Sequence, residues 1–321
     1  MRARNHSGVK SVLLDRVPEA GRILLLIAVC VSVLVLFVVP LRLDEGPVLH
    51  ELHNAAHVIV FALLAPAILL IAVSFRADAD LRFAHIYLGA WLTAVFIGLL
   101  IEGVQSLAAR DATWSDVRGD AAGALCGLLI LSAFRESSRR LLWRYAAIAV
   151  AVILLVVACW PFWRQVTAYL ESQRQWPVLL SADQRHVLLN VDQSTARLAR
   201  GPGHWDILFS GDPLSGVTFN GWPRTWRDQR ALVLDLANGS DAALIVGLVI
   251  RDGSDNKSYA NRYNAEFALD ARTRRTIEIP LSELARAPNG RLLDLNDVRA
   301  VTVFRAAGAA DSLSIVGITL R

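Results

Sequence analysis

The sequence predicts an α+β multidomain chain: a polytopic α-helical membrane domain of about five spans, followed by an all-β jelly roll or sandwich. Three observations carry that expectation. Long apolar runs fill the first half and stop near Phe162. From Arg164 onward the chain is polar and rich in Asp, Arg, Asn and Gly, so the 54% hydrophobic content of the 321 residues averages two unlike halves. The second half then alternates short β-branched runs with turn residues, the pattern of strands.

Each apolar run is measured against the roughly 20 residues a helix needs to cross a hydrocarbon core. Ile23–Leu41, His57–Phe75, Ala84–Ile101, Ala121–Phe134 and Tyr145–Phe162 are the five expected spans. The fourth is the shortest, cut by Asp120 and diluted by Gly123 and Gly127. The first follows Arg16 and Arg22 but is longer than a signal peptide's apolar region and ends in "VVPLRLDEG" without a small-residue cleavage pattern, so an uncleaved anchor is expected.

Basic residues set the orientation. The tail carries Arg2, Arg4, Lys10, Arg16 and Arg22, and the loops after spans two and four carry Arg76, Arg82, Arg135, Arg139, Arg140 and Arg144. Positive loops stay cytoplasmic, so five spans send the carboxyl half outside. The expected boundaries are a cytoplasmic tail over 1–22, the membrane domain over 23–163, a linker over 164–202 and an exterior sandwich over 203–321. The net charge of +4 lies largely beside the apolar runs and is no nucleic-acid footprint. Cys30, Cys126 and Cys159 all lie in apolar segments, with neither a disulfide framework nor a CxxC metal pair.

"IEGVQSLAARDATWSDVRGDAAGALCGLLIL", from Ile101, breaks the apolar pattern. Glu102 and Gln105 are three apart at the exit of span three, and Asp116, Asp120, Gly123 and Gly127 share a face at the entry of span four. His50, His53 and His57 form one stripe if their segment is helical. Any one of these charges also fits a helix end that merely marks the water boundary. Together, His57, Glu102, Gln105, Arg110, Asp116 and Asp120 are expected to line a polar pocket at one membrane surface, because ionisable groups inside a span are costly and mark function. No metal-binding spacing accompanies them.

"ExxQSLAARDATWSDVRGDAAGALCG" resembles the motif of VanZ-like membrane proteins, in Glu102, Gln105, Arg110, Asp116, Asp120, Gly123 and Gly127. In the earlier half of that motif, His57 and Phe61 fit, while His53 and Asn54 stand where the family has Asp and Lys. The resemblance covers residues 20–135 and implies an envelope role.

Beyond "ARGPGHWD", strands are expected at "ALVLDLAN", "ALIVGLVIRDG", "NAEFALD", "RTIEIPL", "VRAVTVF" and "SLSIVGITL". Their order resembles the galactose-binding-like jelly rolls appended to carbohydrate-active proteins, which implies a glycan ligand or packing on a neighbour. A sugar site needs a flat aromatic and planar polar side chains, and the candidates are Trp222, Trp226, Tyr259, Asn261, Arg262 and Asn264. No cofactor is expected beyond a structural calcium through Asp252, Asp255 and Asn256.

The expected function is therefore an integral cell-envelope protein of the bacterial inner membrane whose sandwich is periplasmic. Its partners are the lipid bilayer and an envelope glycan or lipid-linked precursor. The alternative is a membrane-embedded enzyme using Glu102, Asp120 and His57 as acid–base groups, without a nucleophile elbow, P-loop or zincin motif to name its reaction.

Overall fold

A computed structural model describes residues 47–74, 83–107, 114–135, 141–184, 186–212, 214–222, 224–255 and 258–321. The expected span Ile23–Leu41 lies outside these residues. The chain divides into two units, Met1–Arg164 and Gln165–Arg321.

The first unit is helical: α1 Pro47–Ser74, α2 Phe83–Leu107, α3 Trp114–Arg135, and α4, which begins at Leu141 and continues to Gln175 in the second unit. Among the described residues, four helices are long and apolar enough to cross a membrane. α1 begins ten residues ahead of the span expected from His57, with Pro47 at its first position, where the missing N–H costs nothing. α3 begins at Trp114, so Asp116 and Asp120 lie inside the helix and do not cut it short. The helix tolerates Asp120 because its carboxylate meets a partner within the unit.

Close packing of α1 on α3 depends on glycine. Gly119, Gly123 and Gly127 recur every four residues along α3; a Cβ at Gly123 or Gly127 would collide with the carbonyls of Val58 or Ala62 on α1. Small residues let backbones approach where lipid offers no hydrophobic drive for helix association. α2 joins this pair through Phe61, Ala65, Ala94 and Ala124, all fully buried, and Trp91 Nε1–H donates to the Ala121 carbonyl at 3.0 Å. α4 meets α3 where the Cys126 thiol donates to the Ala151 carbonyl at 3.3 Å.

The second unit is an antiparallel sandwich. Its strands are β1 Val178–Ser181, β2 Val191–Asp192, β3 Ala196–Gly201, β4 His204–Phe209, β5 Gly216–Asn220, β6 Ala231–Ala237, β7 Leu244–Asp252, β8 Tyr263–Leu269, β9 Arg274–Pro280, β10 Val298–Gly308 and β11 Ser312–Leu320. A short helix, α5 Leu281–Arg286, follows β9. One sheet runs β3-β4-β11-β6-β9 with β1 also on β11, and the other runs β2-β5-β10-β7-β8. The core takes alternate residues from both: Leu232, Leu234 and Leu236 from β6, Ile315 from β11, Val301 and Val303 from β10, and Val246, Leu248 and Ile250 from β7.

All six strands expected from the sequence are present. Residues 164–202, expected as a linker, instead carry the end of α4 and β1 to β3, so the sandwich starts ahead of residue 203. β1 is recruited by register with β11, from Val178 opposite Thr319 to Ser181 opposite Gly317. That pairing partner is about 140 residues away in the chain, which no local pattern reveals.

Candidate functional sites

The start of α1, the end of α2 and the start of α3 converge. His57 is the eleventh residue of α1 and Asp120 the seventh of α3, which puts them roughly 15 and 9 Å along their helices. His57 is 2% exposed and Asp120 0%. His57 Nδ1 lies 3.2 Å from Asp120 Oδ1, and His57 Nε2 lies 3.3 Å from His53 Nε2. A carboxylate can only accept, so His57 donates from Nδ1 and, when neutral, accepts at Nε2 from the Nε2–H of His53. The chain of bonds runs His53 to His57 to Asp120, one turn of α1 leading across to α3.

The rest of the site closes around this pair. The second Asp120 oxygen rests against Gly98 of α2, where a Cβ would come within 2.6 Å of it. The His57 ring stacks with Phe61 at a centroid distance of 6.4 Å and meets His53 edge-on at 4.8 Å. Asp116 and Glu102 are near enough to act electrostatically on His57, and Glu102 is itself buried. His57, Glu102, Asp116 and Asp120 thus lie near one another. Gln105 is half-buried one turn beyond Glu102, and Arg110 lies outside the described residues.

His53, expected on one stripe with His50 and His57 but not among the pocket residues, is the hydrogen-bond partner of His57. Its spacing of four from His57 was the available signal. Among the described residues, no group of three or more His, Cys, Asp or Glu is placed to hold a metal.

The sandwich candidates divide differently. Trp226 is 0% exposed and belongs to the core, which corrects its expected role as a sugar platform. Trp222 packs edge-on against it at 6.0 Å and lines a cleft with Glu171, Gln184, His186, Asn190 and Asn220. The enclosed part of that cleft is about 40 Å³, room for a few waters. Tyr259 and Asn261 lie in a 3₁₀ turn, not on a strand. Asn261 accepts from Arg291 and donates to the Ser254 carbonyl at 2.9 Å; Asn264 donates to the Tyr259 carbonyl at 2.8 Å and accepts from Arg262 at 3.0 Å. These amides stitch their own loop together.

Asp252, one of the calcium candidates, is held by Arg291 in a two-pronged pair, Nη1 to Oδ2 at 2.5 Å and Nη2 to Oδ1 at 2.8 Å. The Asp294 N–H adds a third bond at 2.7 Å. Burial alone would raise this carboxyl, but the Arg291 hydrogen bonds, the Asp294 amide and the Arg291 charge outweigh it and hold it below the usual carboxylate range. Asn256, the third calcium candidate, lies outside the described residues.

A surface absent from the sequence reading is the outer face of the β2-β5-β10-β7-β8 sheet. Val301 and Val303 point inward, so Thr302 and Phe304 of β10 face out. Register sets Phe304 between Gly216 of β5 and Gly247 of β7, and its ring fills the space a Cβ would take at Gly247. Beside it, the Thr218 and Thr302 hydroxyls lie 2.8 Å apart, and Arg251 Nη2 donates to Thr302 Oγ1 at 3.3 Å. The face thus combines a half-buried ring with hydroxyls and a guanidinium.

No protein-family model matches the chain, and none of the curated proteins compared with it matches. The sandwich is similar in fold to carbohydrate-binding-module jelly rolls. One is the family 11 carbohydrate-binding module from Clostridium thermocellum in complex with a β-1,3-1,4-mixed-linked tetrasaccharide, at 16% identity and a TM-score of 0.34, covering 44% of this chain and 94% of that one. Another is the family 11 module of the cellulosomal cellulase Lic26A-Cel5E of the same organism, at 13% identity and a TM-score of 0.31, covering 40% and 84%. An exo-β-agarase is similar at 13% identity and a TM-score of 0.36, covering 45% of this chain and 24% of its own length.

Proposed function

We propose that this chain is an integral cell-envelope protein of the bacterial inner membrane, which holds a polar envelope component at the His57–Asp120 site and engages glycan with an extracytoplasmic sandwich. The observation that carries the reading is the His57–Asp120 contact itself, buried within helices apolar enough to cross a bilayer. An ionisable group inside a span is costly and marks a functional-site candidate, and Asp120 is the seventh residue of the 22-residue α3, nearer its start than its centre. The resemblance of residues 102–127 to VanZ-like proteins and the basic tail and loops support the envelope assignment and the orientation. Glycan engagement is supported by the ring, hydroxyls and guanidinium on the outer face of the β10 sheet, the chemistry a sugar needs.

The partner of the membrane site is a headgroup with hydrogen-bond donors or a cation, since three of the four convergent side chains are carboxylates. Reporter fusions test the orientation: Ser115 and Arg321 read as extracytoplasmic, and Ala77 and Ser138 as cytoplasmic. A cytoplasmic signal from Ser115 overturns the reading.

A second reading is favoured by one observation, the bond from His53 to His57 to Asp120. A carboxylate that orients an imidazole is the arrangement of a general base, and the substrate class would be a lipid-linked envelope precursor. Glu102→Gln and Asp120→Asn distinguish the two readings. A catalyst loses turnover of that precursor while the protein persists in the membrane, whereas a binding site loses capture of the headgroup without any turnover to lose.

A further inference from the structure

The cleft beside Trp222 has all its walls within the second unit, Gln165–Arg321. The end of α4 forms one side and β1 another, and the 3₁₀ turn Val187–Asn190 and residues 219–222 complete it. Two of the lining side chains, Leu179 and Phe219, are buried members of the sandwich core, so the cleft ends blind.

Three of the lining residues are amides, each with one half already committed. Gln184 is 5% exposed, and its Oε1 accepts from the Ser181 N–H at 3.2 Å, which fixes the side chain. Its amino group makes no hydrogen bond among the described residues. A buried donor is costly to leave in that state, so it calls for an acceptor in the cleft. Asn190 repeats the arrangement: its Oδ1 accepts from Gln165 Nε2 at 2.6 Å and its amino group is left over. Asn220 is the reverse, because its Nδ2 donates to the Thr218 carbonyl at 3.5 Å and its oxygen is left over. Two donors and one acceptor therefore share a cleft with the Trp222 indole.

Asn220 also belongs to the outer face of the β2-β5-β10-β7-β8 sheet. Val217 and Phe219 point into the core, so Gly216, Thr218 and Asn220 share the opposite side of β5. Phe304 stands opposite Gly216, and Thr302 opposite Thr218. The ring and the hydroxyls thus run along β5 toward Asn220, about 13 Å from Gly216 at ~3.3 Å per residue. Asn220 joins that face to the cleft.

We propose that the cleft receives the terminal sugar of a neutral glycan whose next sugars lie along β5, so that the second unit reads a chain end. This rests on the reading of the outer face as a glycan surface. Sugar hydroxyls both donate and accept, which matches amides that offer one function apiece, and Trp222 offers a flat apolar surface to the ring. The enclosed part of the cleft, about 40 Å³, takes a hydroxymethyl group or a pair of hydroxyls, with the ring outside it. Among the described lining residues no Lys or Arg offers a counterion to a sugar acid or phosphate, which makes the sugar neutral. The blind floor makes it terminal, since a continuing chain has no exit.

The test uses the full chain in nanodiscs and a panel of neutral polysaccharides, each intact and partly hydrolysed to oligosaccharides, with melting measured alongside. For a polysaccharide that binds, affinity per mole of chain is the same for long and short chains once they span the outer face. Gln184→Glu and Asn190→Asp keep the oxygen that accepts from Ser181 or Gln165 and remove the donor. Each lowers affinity about tenfold at unchanged melting. Variants that bind like the unaltered chain overturn the proposal, as does affinity per chain that rises with length; either result leaves the glycan surface standing. Binding to no member of the panel overturns both. If the variants melt early, the unaltered chain is titrated with one oligosaccharide reduced at its reducing end and, separately, O-methylated on its non-reducing sugar. One of these changes abolishes binding; normal binding of both overturns the proposal.

Discussion

His57 Nδ1 and Asp120 Oδ1 meet at 3.2 Å across the α1–α3 seam, 63 residues apart in sequence. Each is the other's means of residing in a low-dielectric interior, and removing one leaves a buried polar group without its complement. Breaking a buried pair of this kind costs about 3–5 kcal/mol, against much less when both members go. Asp120→Ala therefore lowers the thermal midpoint of the membrane unit sharply. Adding His57→Ala to that chain costs little more, and Asp120→Asn, which keeps the shape, sits between. A double-mutant cycle on melting in detergent checks the order; additive losses would mean the two residues are not coupled.

Gly123 and Gly127 hold α1 and α3 close enough for that pair to form. Gly127→Val places a branched side chain on the Ala62 carbonyl, where the obstacle is backbone and cannot swing aside. Overpacking of this sort costs about 1–3 kcal/mol. The same substitution at Gly103, where nothing stands within 4 Å of the added Cβ, leaves the α1–α3 contact intact. Disulfide trapping between cysteines placed in α1 and α3 reads the difference: yield falls for Gly127→Val and is unchanged for Gly103→Val.

What the sequence shows and what it hides follow from the range of each interaction. The glycine stripe, the Glu102–Gln105 spacing and the His57, Asp116 and Asp120 positions are legible because helical neighbours lie three or four residues apart. β6 to β11 are legible because each carries its own alternation. Thr218, Thr302 and Phe304 are not, since their meeting depends on register between strands 84 residues apart in the chain for the two threonines. Trp226 fails in the opposite sense: its composition fits a sugar platform, and only tertiary packing shows that it is fully enclosed.

Asp252 and Arg291 tie β7 to the loop that precedes β10, and their pH dependence has a definite sign. The folded carboxyl titrates below the usual range, so the unfolded chain binds more protons near its ordinary value of about 3.9. The stabilisation is fully present above that value and is lost as pH falls through the lower, folded one. Acid unfolding followed by tryptophan fluorescence therefore moves to higher pH in Arg291→Ala, with a loss at neutral pH as well. An unchanged acid midpoint would refute the coupling.

Tyr263 is the basic-side counterpart. Its ring is buried, and burial first, then the neighbouring charge of Glu283, pushes its hydroxyl up to about 12. The folded value lies above the ordinary value of about 10, so the neutral form is favoured on folding. The unfolded chain gives up this proton first, so the contribution is present below about pH 10 and fades as pH rises toward 12. Ultraviolet titration shows one tyrosine titrating late, and Tyr263→Phe removes it.

Phe304 and Trp226 divide binding from folding. Phe304 is half-buried on an outer face beside the Thr218 and Thr302 hydroxyls, whereas Trp226 is 0% exposed. Trp226→Ala removes a core ring and costs about 3–5 kcal/mol of stability. Phe304→Ala removes one flank of the outer face of the β2-β5-β10-β7-β8 sheet, and the space it vacates lies over Gly247, so the fold is retained. If glycan stacks on that ring, losing the contact costs about 1.4 kcal/mol, a tenfold drop in affinity. A polysaccharide panel on the full chain in nanodiscs, with melting measured alongside, separates the outcomes. Binding that falls for Phe304→Ala at unchanged stability assigns the face to glycan. Binding that survives it removes the outer sheet from the proposed function, and Trp226→Ala must then lose both properties together.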